Sequence, residues 1–363
     1  MSGWVSRLSA IVAIALASSA CAHASSNEET SAASDVVTSE AHARLISQGW
    51  RETLVSVSDL AEMERFYHEV LGWEIRTKGE VPREQLAAWN LPGEASASFV
   101  LVANPQTDRG FVRIVDFDGV PQRRIREHDQ AWETGGIYNM NIRVADIAAA
   151  STKTTQAGWQ APSTPVNFIF GPFDVWEWIP RHPDGVRVAL MERVSPPLTG
   201  WPHLKTSSRA FNSTQIVADL ERAAAFYEGI LGFEVYLDHT GPSTEPGEHV
   251  LGLSREAMTS VSRTVKIVNP PGSPNDGSVE LLEFQDYSGR DFSEHAVPPN
   301  LGNLMLRFPV SDLGALVAHF DKHEIPLEYQ PIERELAPYG KVKIAAVRAP
   351  DGAWLEFFEE AES

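Results

Sequence analysis

Residues 52–74 read ETLVSVSDLAEMERFYHEVLGWE, and residues 212–234 read NSTQIVADLERAAAFYEGILGFE. Asp59-Leu60, Phe66-Tyr67 and Leu71-Gly72-Trp73-Glu74 return as Asp219-Leu220, Phe226-Tyr227 and Leu231-Gly232-Phe233-Glu234, each 160 residues later, and so constant an offset marks an internal duplication. The local reading is strand, then helix. Thr53, Val55 and Val57 alternate with Glu52, Leu54 and Ser56 at the period of a half-buried strand. Asp59 followed three residues on by Glu62 has the pattern of a capping box. Met63, Phe66, Tyr67, Val70 and Leu71 then form one apolar stripe at helical spacing, and Gly72 is placed to end the helix.

Alternating runs over residues 97–103 and 111–117 follow, so the unit reads βαβββ. Each half holds two such units, because Arg143-Val144-Ala145-Asp146 returns as Pro309-Val310-Ser311-Asp312 and Pro183-Asp184-Gly185 as Pro350-Asp351-Gly352. Helices are expected to open at Asp146, Asp219 and Asp312 as they do at Asp59. Pro196-Pro197 and Gly200-Trp201-Pro202 read as a linker, which predicts a first module over residues 49–196 and a second over 207–361. Residues 173–178 alternate as a strand whose Trp176 and Trp178 share a face, fit for packing or for stacking an aromatic ligand.

Four βαβββ units, the Asp-Leu, Phe-Tyr and Leu-Gly-Phe/Trp-Glu signature at Asp59 and Asp219, and the two Pro-Asp-Gly turns resemble the vicinal oxygen chelate superfamily. That group holds glyoxalase I, bleomycin-resistance proteins, fosfomycin-resistance enzymes and extradiol dioxygenases. The resemblance implies an α+β fold of two glyoxalase-like cups, each built from two units, in which the first and last strand of every unit offers one metal ligand. Those positions hold Glu52, Asn139, Asn212 and Met305 on the first strands, and Arg113, Ala189, Glu280 and Glu356 on the last. No histidine stands among the eight, which speaks against the two-His, one-carboxylate iron site of oxygen chemistry. A guanidinium cannot ligate a cation, so Arg113 predicts a first module without metal. The second keeps Glu280 and Glu356, with Asn212 as a neutral oxygen: a three-oxygen set suited to Mg²⁺, Mn²⁺ or Ca²⁺.

Strand alternation extends these cups. Glu52, Arg113, Asn139, Asn141, Arg143 and Arg187 would line a polar, cationic first cup that suits an organic anion, unless the arginines pair with Glu52 and backbone carbonyls as filler. Asn212, Thr214, Glu280, Arg307, Trp354, Glu356 and Phe358 would line a more apolar second cup. Substrate contacts are accordingly expected from Asn212, Thr214, Trp354 and Phe358, and from Glu52, Arg113, Asn139 and Arg187. Catalysis is expected in the second module, as lyase or isomerase chemistry on a small organic molecule. Glu280 and Glu356 would either hold the metal or act as base and acid, with Arg307 orienting an oxyanion. The alternative is a metal-free binding protein resembling the bleomycin-resistance proteins. Missing histidines favour that alternative, and the retained glutamates favour the enzyme.

Composition bounds the rest. With 363 residues, 43% of them hydrophobic and 22% charged, the chain buries real cores. Thirty basic against 49 acidic residues give a net charge of −19, a field that repels phosphate backbones and argues against nucleic acid as a partner. A single cysteine, Cys21, excludes an internal disulfide framework. Residues 1–24 read as a signal peptide: Arg7 precedes an apolar run over 8–17 that is too short to span a bilayer. Cleavage before Cys21 would leave a lipidated cysteine and a periplasmic, membrane-anchored protein. Cleavage after Ala22-His23-Ala24 would discard it. Residues 25–48 read as a flexible spacer, and the duplication lets one chain complete both cups, with a dimer left open.

Overall fold

The computed structural model describes residues 45–128, 130–273 and 276–361. The signal peptide, Cys21 and nearly all of the expected spacer lie outside them. Unit one comprises β1 (Glu52–Ser56), α1 (Leu60–Arg65, continued by a π-helical turn, Phe66–Val70), β2 (Glu74–Glu80), α2 (Arg83–Ala88), β3 (Ser96–Ala103) and β4 (Phe111–Asp118). Unit two has β5 (Asn139–Val144), α3 (Ile147–Gln156), β6 (Val166–Phe170), β7 (Phe173–Trp178) and β8 (Val188–Ser195). Unit three has β9 (Ser207–Ile216), α4 (Leu220–Ala224, with a π-helical turn, Ala225–Ile230), β10 (Glu234–Gly241), α5 (Arg255–Ser260), β11 (Arg263–Asn269) and β12 (Ser278–Phe284). Unit four has β13 (Gly302–Pro309), α6 (Leu313–Lys322), β14 (Leu327–Glu335), β15 (Lys341–Arg348) and β16 (Trp354–Glu360).

The four long helices start where the sequence places them. Asp59, Asp146, Asp219 and Asp312 each accept the backbone N–H three residues on, at 2.8–2.9 Å, a cap typically contributing about 1 kcal/mol. The reciprocal half of the first capping box is not made, since the Glu62 carboxylate lies 3.5 Å from His182 Nε2 instead. Met63, Phe66, Tyr67, Val70 and Leu71 are all buried, in one core with Phe226, Tyr227 and Leu231. The π-helical turn widens the helix where Phe66 and Tyr67 both turn inward. Each such ring contributes roughly 1.5–3 kcal/mol by burial. β1, predicted half-buried, is buried on both faces, because helices cover one side and the cup contents the other.

Two eight-stranded sheets carry these helices, in the orders β14-β15-β16-β13-β1-β4-β3-β2 and β10-β11-β12-β9-β5-β8-β7-β6. The modules over 49–196 and 207–361 are therefore not the cups. Unit one shares a sheet with unit four through the antiparallel pair β1/β13, and unit two with unit three through β5/β9. Connection lengths account for this. Only residues 196–206 join β8 to β9, whereas the longer segments 119–138 and 285–301 cross between sheets and bridge each other at Arg124/Leu301 and Thr134/Asp291. At Gly110 the two sheets come close: at φ +66° its carbonyl accepts from Ala210, and a Cβ there would lie 2.0 Å from the Ala210 carbonyl oxygen.

Candidate functional site

In the cup of units one and four, Glu52, Arg307 and Glu356 are register partners across β1, β13 and β16, so charges of alternating sign stand opposite one another. Glu52 accepts from Arg113 Nε at 2.7 Å and Nη2 at 3.0 Å, from Arg307 Nη1 at 2.6 Å and from the Tyr339 hydroxyl at 3.0 Å. Glu356 accepts from Arg307 Nε, from Trp89 Nε1 at 2.9 Å, from the Tyr329 hydroxyl at 2.7 Å and from Gln85 Nε2 at 3.2 Å. Burial alone would push both carboxyls up. The Arg113 and Arg307 charges overcome it at Glu52, which falls to about 2, and Arg307 with Arg334 lowers Glu356. Leu54, Met305, Trp354 and Phe358 fill the rest of this cup as packed core, leaving a cavity of about 200 Å³.

The cup of units two and three is open. It encloses about 750 Å³, within the range of small-molecule sites. Asn139, Thr214 and Glu280 form one register row across β5, β9 and β12, and they are chained: Asn139 donates to Thr214 Oγ1 at 3.2 Å, and the Thr214 hydroxyl to Glu280 Oε1 at 3.2 Å. Asn141 and Asn212 occupy the next row, where Asn139 donates to Asn141 at 2.5 Å and Asn212 to Ser278 at 2.8 Å, leaving Asn212 Oδ1 buried without a partner. Arg143 and Glu177 lie in a third row, on either side of Met191. Burial raises Glu280 to about 7 despite the Thr214 bond, and raises Glu177, with help from Glu280, to about 8. Arg143 rests 4.5 Å over Phe211 and 5.0 Å over Trp201, with Nε and Nη1 unpartnered, and burial beside Arg193 lowers it to about 10.

The expected residue sets are regrouped by this topology. Glu280 does not join Glu356 and Arg307: the catalytic trio is split between two cups, and so is the Glu280, Glu356, Asn212 metal set. Asn212 and Thr214 line the open cup, while Trp354 and Phe358 are core of the closed one. Asn139 likewise belongs to the open cup and Glu52 with Arg113 to the closed one. Arg187 lines neither cavity; its guanidinium lies 4.8 Å over Tyr138, and its backbone N–H donates to Asn303 at 2.8 Å. Trp178 is buried in the main core and Trp176 faces away from the cavity, whereas Phe173, Val175 and Glu177 of that strand face into it. The same alternation that drew attention to the tryptophans could have found Glu177 on the opposite face.

Neither donor set fits a divalent metal. In the closed cup Arg307 already sits as the cation between Glu52 and Glu356, with Arg113 and Met305 at the remaining positions. In the open cup Glu280 is the single carboxylate among the family positions and Ala189 offers no donor, so that even with the unpartnered Asn212 Oδ1 the set holds one anionic ligand and two neutral amides. Among the described residues no cluster of three or more His, Cys, Asp or Glu side chains could hold a metal.

The model of the Glyoxalase/Bleomycin resistance protein/Dioxygenase superfamily matches residues 51–190 and 210–357, and the chain belongs to that superfamily. Solved structures agree in fold. Glyoxalase I from Zea mays is 16% identical, with a TM-score of 0.56 over 86% of this chain and 92% of that one. A candidate dioxygenase from Bacillus subtilis is 12% identical, with a TM-score of 0.53 over 87% of this chain and 86% of that one. A search of curated proteins finds no match. At these identities the likeness is one of fold, and function rests on the site.

Proposed function

We propose that the open cup of units two and three binds a small organic anion and acts on it by acid–base chemistry of the lyase or isomerase type. The observation that carries this reading is the pair of raised carboxyls, Glu280 and Glu177, facing one cavity beside the unpartnered Arg143. Near neutral pH the lower of the two is about half ionised while the higher is still mostly protonated, so a fraction of molecules holds the division of roles that a base and an acid need. Glu280, steadied by the Thr214 hydroxyl, would take a proton from carbon next to a substrate carbonyl. Glu177 would give its proton to the carbonyl oxygen, and Arg143 would hold the substrate's anionic group. Where the deprotonated carbon carries a hydroxyl, return of the proton to the former carbonyl carbon while Glu177 takes the proton of that hydroxyl completes an isomerisation; where the next carbon carries a leaving group, its departure with the proton held by Glu280, while Glu177 takes back the proton on oxygen, completes an elimination.

A binding protein without turnover is the second reading, favoured by the poor fit of both cups to the family's metal. One experiment separates the two. A panel of small carboxylates and keto acids is screened by calorimetry, and the binders are followed by NMR for conversion with the parent, Glu280→Gln and Glu177→Gln. Conversion that drops at least ~10²-fold in both variants while binding persists supports the enzyme. Binding without conversion supports the second reading.

Export is part of the proposal. The short apolar run after Arg7, and the position of Cys21 after Ser18-Ser19-Ala20, support a periplasmic protein with a lipidated Cys21. Among the described residues no helix is long and apolar enough to cross a membrane. Fractionating cells that express Cys21→Ser tests this: loss of membrane association is expected, and unchanged association refutes the lipid anchor.

A further inference from the structure

The closed cup holds one more buried cation than it has carboxylates. Arg334 on β14 is 8% exposed, and its Nε and Nη1 have no hydrogen-bond partner; Nη2 of the fully buried Arg307 has none either. Both residues line, with Arg113, the cavity of about 200 Å³ that opens between β2 and β14, the two edge strands of this sheet. Trp89, Phe99 and Leu336 wall it with apolar surface, and the ionic groups at its rim, Lys78, Glu80 and Glu335, are solvent-exposed. Inside, three guanidiniums face two carboxylates, and both carboxylates are already saturated by the bonds described above. Burial, with Arg307 and Arg113 nearby, pushes Arg334 down to about 9, which still leaves it charged at neutral pH.

We infer that this cavity is a binding site for one small anion, a carboxylate or an inorganic oxyanion, held by Arg334 and Arg307 with Arg113 behind them. The chemistry fits on three counts. A buried, unpaired guanidinium is strongly unfavourable, and one anion removes the imbalance. The unpartnered N–H groups belong to planar forks that match carboxylate and oxyanion geometry. The volume of about 200 Å³ has room for a carboxylate or a phosphate. The site lies in the other cup from the proposed reaction and does not depend on it.

Calorimetry on the protein in low-salt buffer, titrated in turn with sodium formate, sodium phosphate and sodium bromide, tests the inference. Saturable one-site binding of at least one of these is expected, and the order of affinities distinguishes a carboxylate ligand from an inorganic one. Arg334→Met should weaken it at least tenfold while changing Tm little in anion-poor buffer, since Arg334 makes no ion pair and acts on Glu356 only through space, and Arg334→Lys should keep part of it. In crystals soaked in bromide, an anomalous peak is expected among Arg113, Arg307 and Arg334. Absence of saturable binding of all three anions, parent-like affinity in Arg334→Met, or bromide located only elsewhere would overturn the site.

Discussion

Replacing Glu356 by Gln separates a structural carboxylate from a catalytic one. In the parent this side chain accepts from Arg307, Trp89, Tyr329 and Gln85 and is fully buried. Glutamine keeps the shape, but its amide nitrogen must face one of these donors, and Arg307 keeps Glu52 as its sole carboxylate partner. Hydrogen bonds to charged groups contribute about 1.5–3 kcal/mol each, and breaking a buried ion pair from one side costs about 3–5 kcal/mol. We therefore expect a loss of about 3–5 kcal/mol at pH 7. At about 2 °C per kcal/mol for a protein of this size, Tm should fall by roughly 6–10 °C. The pH dependence follows from the sign of the shift. Arg307 and Arg334 outweigh burial and hold the folded-state carboxyl below its ordinary value of 4.5. Its stabilisation is thus fully present above that pH and is lost as pH falls through the folded-state value. Glutamine does not titrate there, so parent and variant should converge as pH drops below about 4.5. Urea unfolding at pH 7 and pH 4 reads both effects, and calorimetry checks that ligand binding in the open cup is unchanged. A loss under about 1 kcal/mol at pH 7, or a stable variant that no longer binds or turns over ligand, refutes the assignment of Glu356 to the frame.

Three further outcomes are expected. The pH profile of turnover should be bell-shaped, rising as Glu280 loses its proton near 7 and falling as Glu177 loses its own near 8; Glu280→Gln should abolish the acidic limb. Arg143→Leu should weaken an anionic ligand about 10- to 100-fold, matching about 1.5–3 kcal/mol for a charge-assisted bond, while an uncharged analogue binds as before; equal losses for both ligands would remove Arg143 from anion recognition. Gly110→Ala should cost about 2 kcal/mol or more, because a left-handed backbone and a Cβ 2.0 Å from the Ala210 carbonyl oxygen both resist it. Parent-like thermal unfolding of that variant would show that the approach of the two sheets is loose.

Local signals were legible in the sequence because they act over a few residues. A capping aspartate and an apolar stripe are satisfied within one helix, and all four helices open at the expected residues. Cup membership is not local. Duplication produces four first strands with nearly equivalent edges, any of which could pair, and the pairing is settled by how far each connection reaches. The shortest, residues 196–206, makes neighbours of units two and three, although its Pro and Gly content reads as a boundary. The sequence sorts its site residues into cups by that boundary, so one topological inversion separates Glu280 from Glu356 and Glu52 from Asn139. Arg113 was legible on chemistry alone: its pairing with Glu52 was the filler alternative, and it holds in either topology.

The two cups show how one scaffold sets opposite proton affinities with a single row of residues. Across the central strands of the closed cup the row is Glu52, Arg307, Glu356, and across those of the open cup it is Asn139, Thr214, Glu280. Both rows are shielded from bulk water, so desolvation is the largest influence on all three carboxyls and pushes each upward. What differs is the middle residue and the cations beside the row. Arg307 in the middle supplies a permanent charge to both neighbours and, with Arg113 at Glu52 and Arg334 at Glu356, lowers them. A threonine supplies one hydrogen bond, too weak to offset burial, so Glu280 stays near neutrality and the volume that a guanidinium would occupy remains part of the cavity. A fixed charge and titratable readiness therefore exclude each other at one position, and the duplication lets this protein hold one of each.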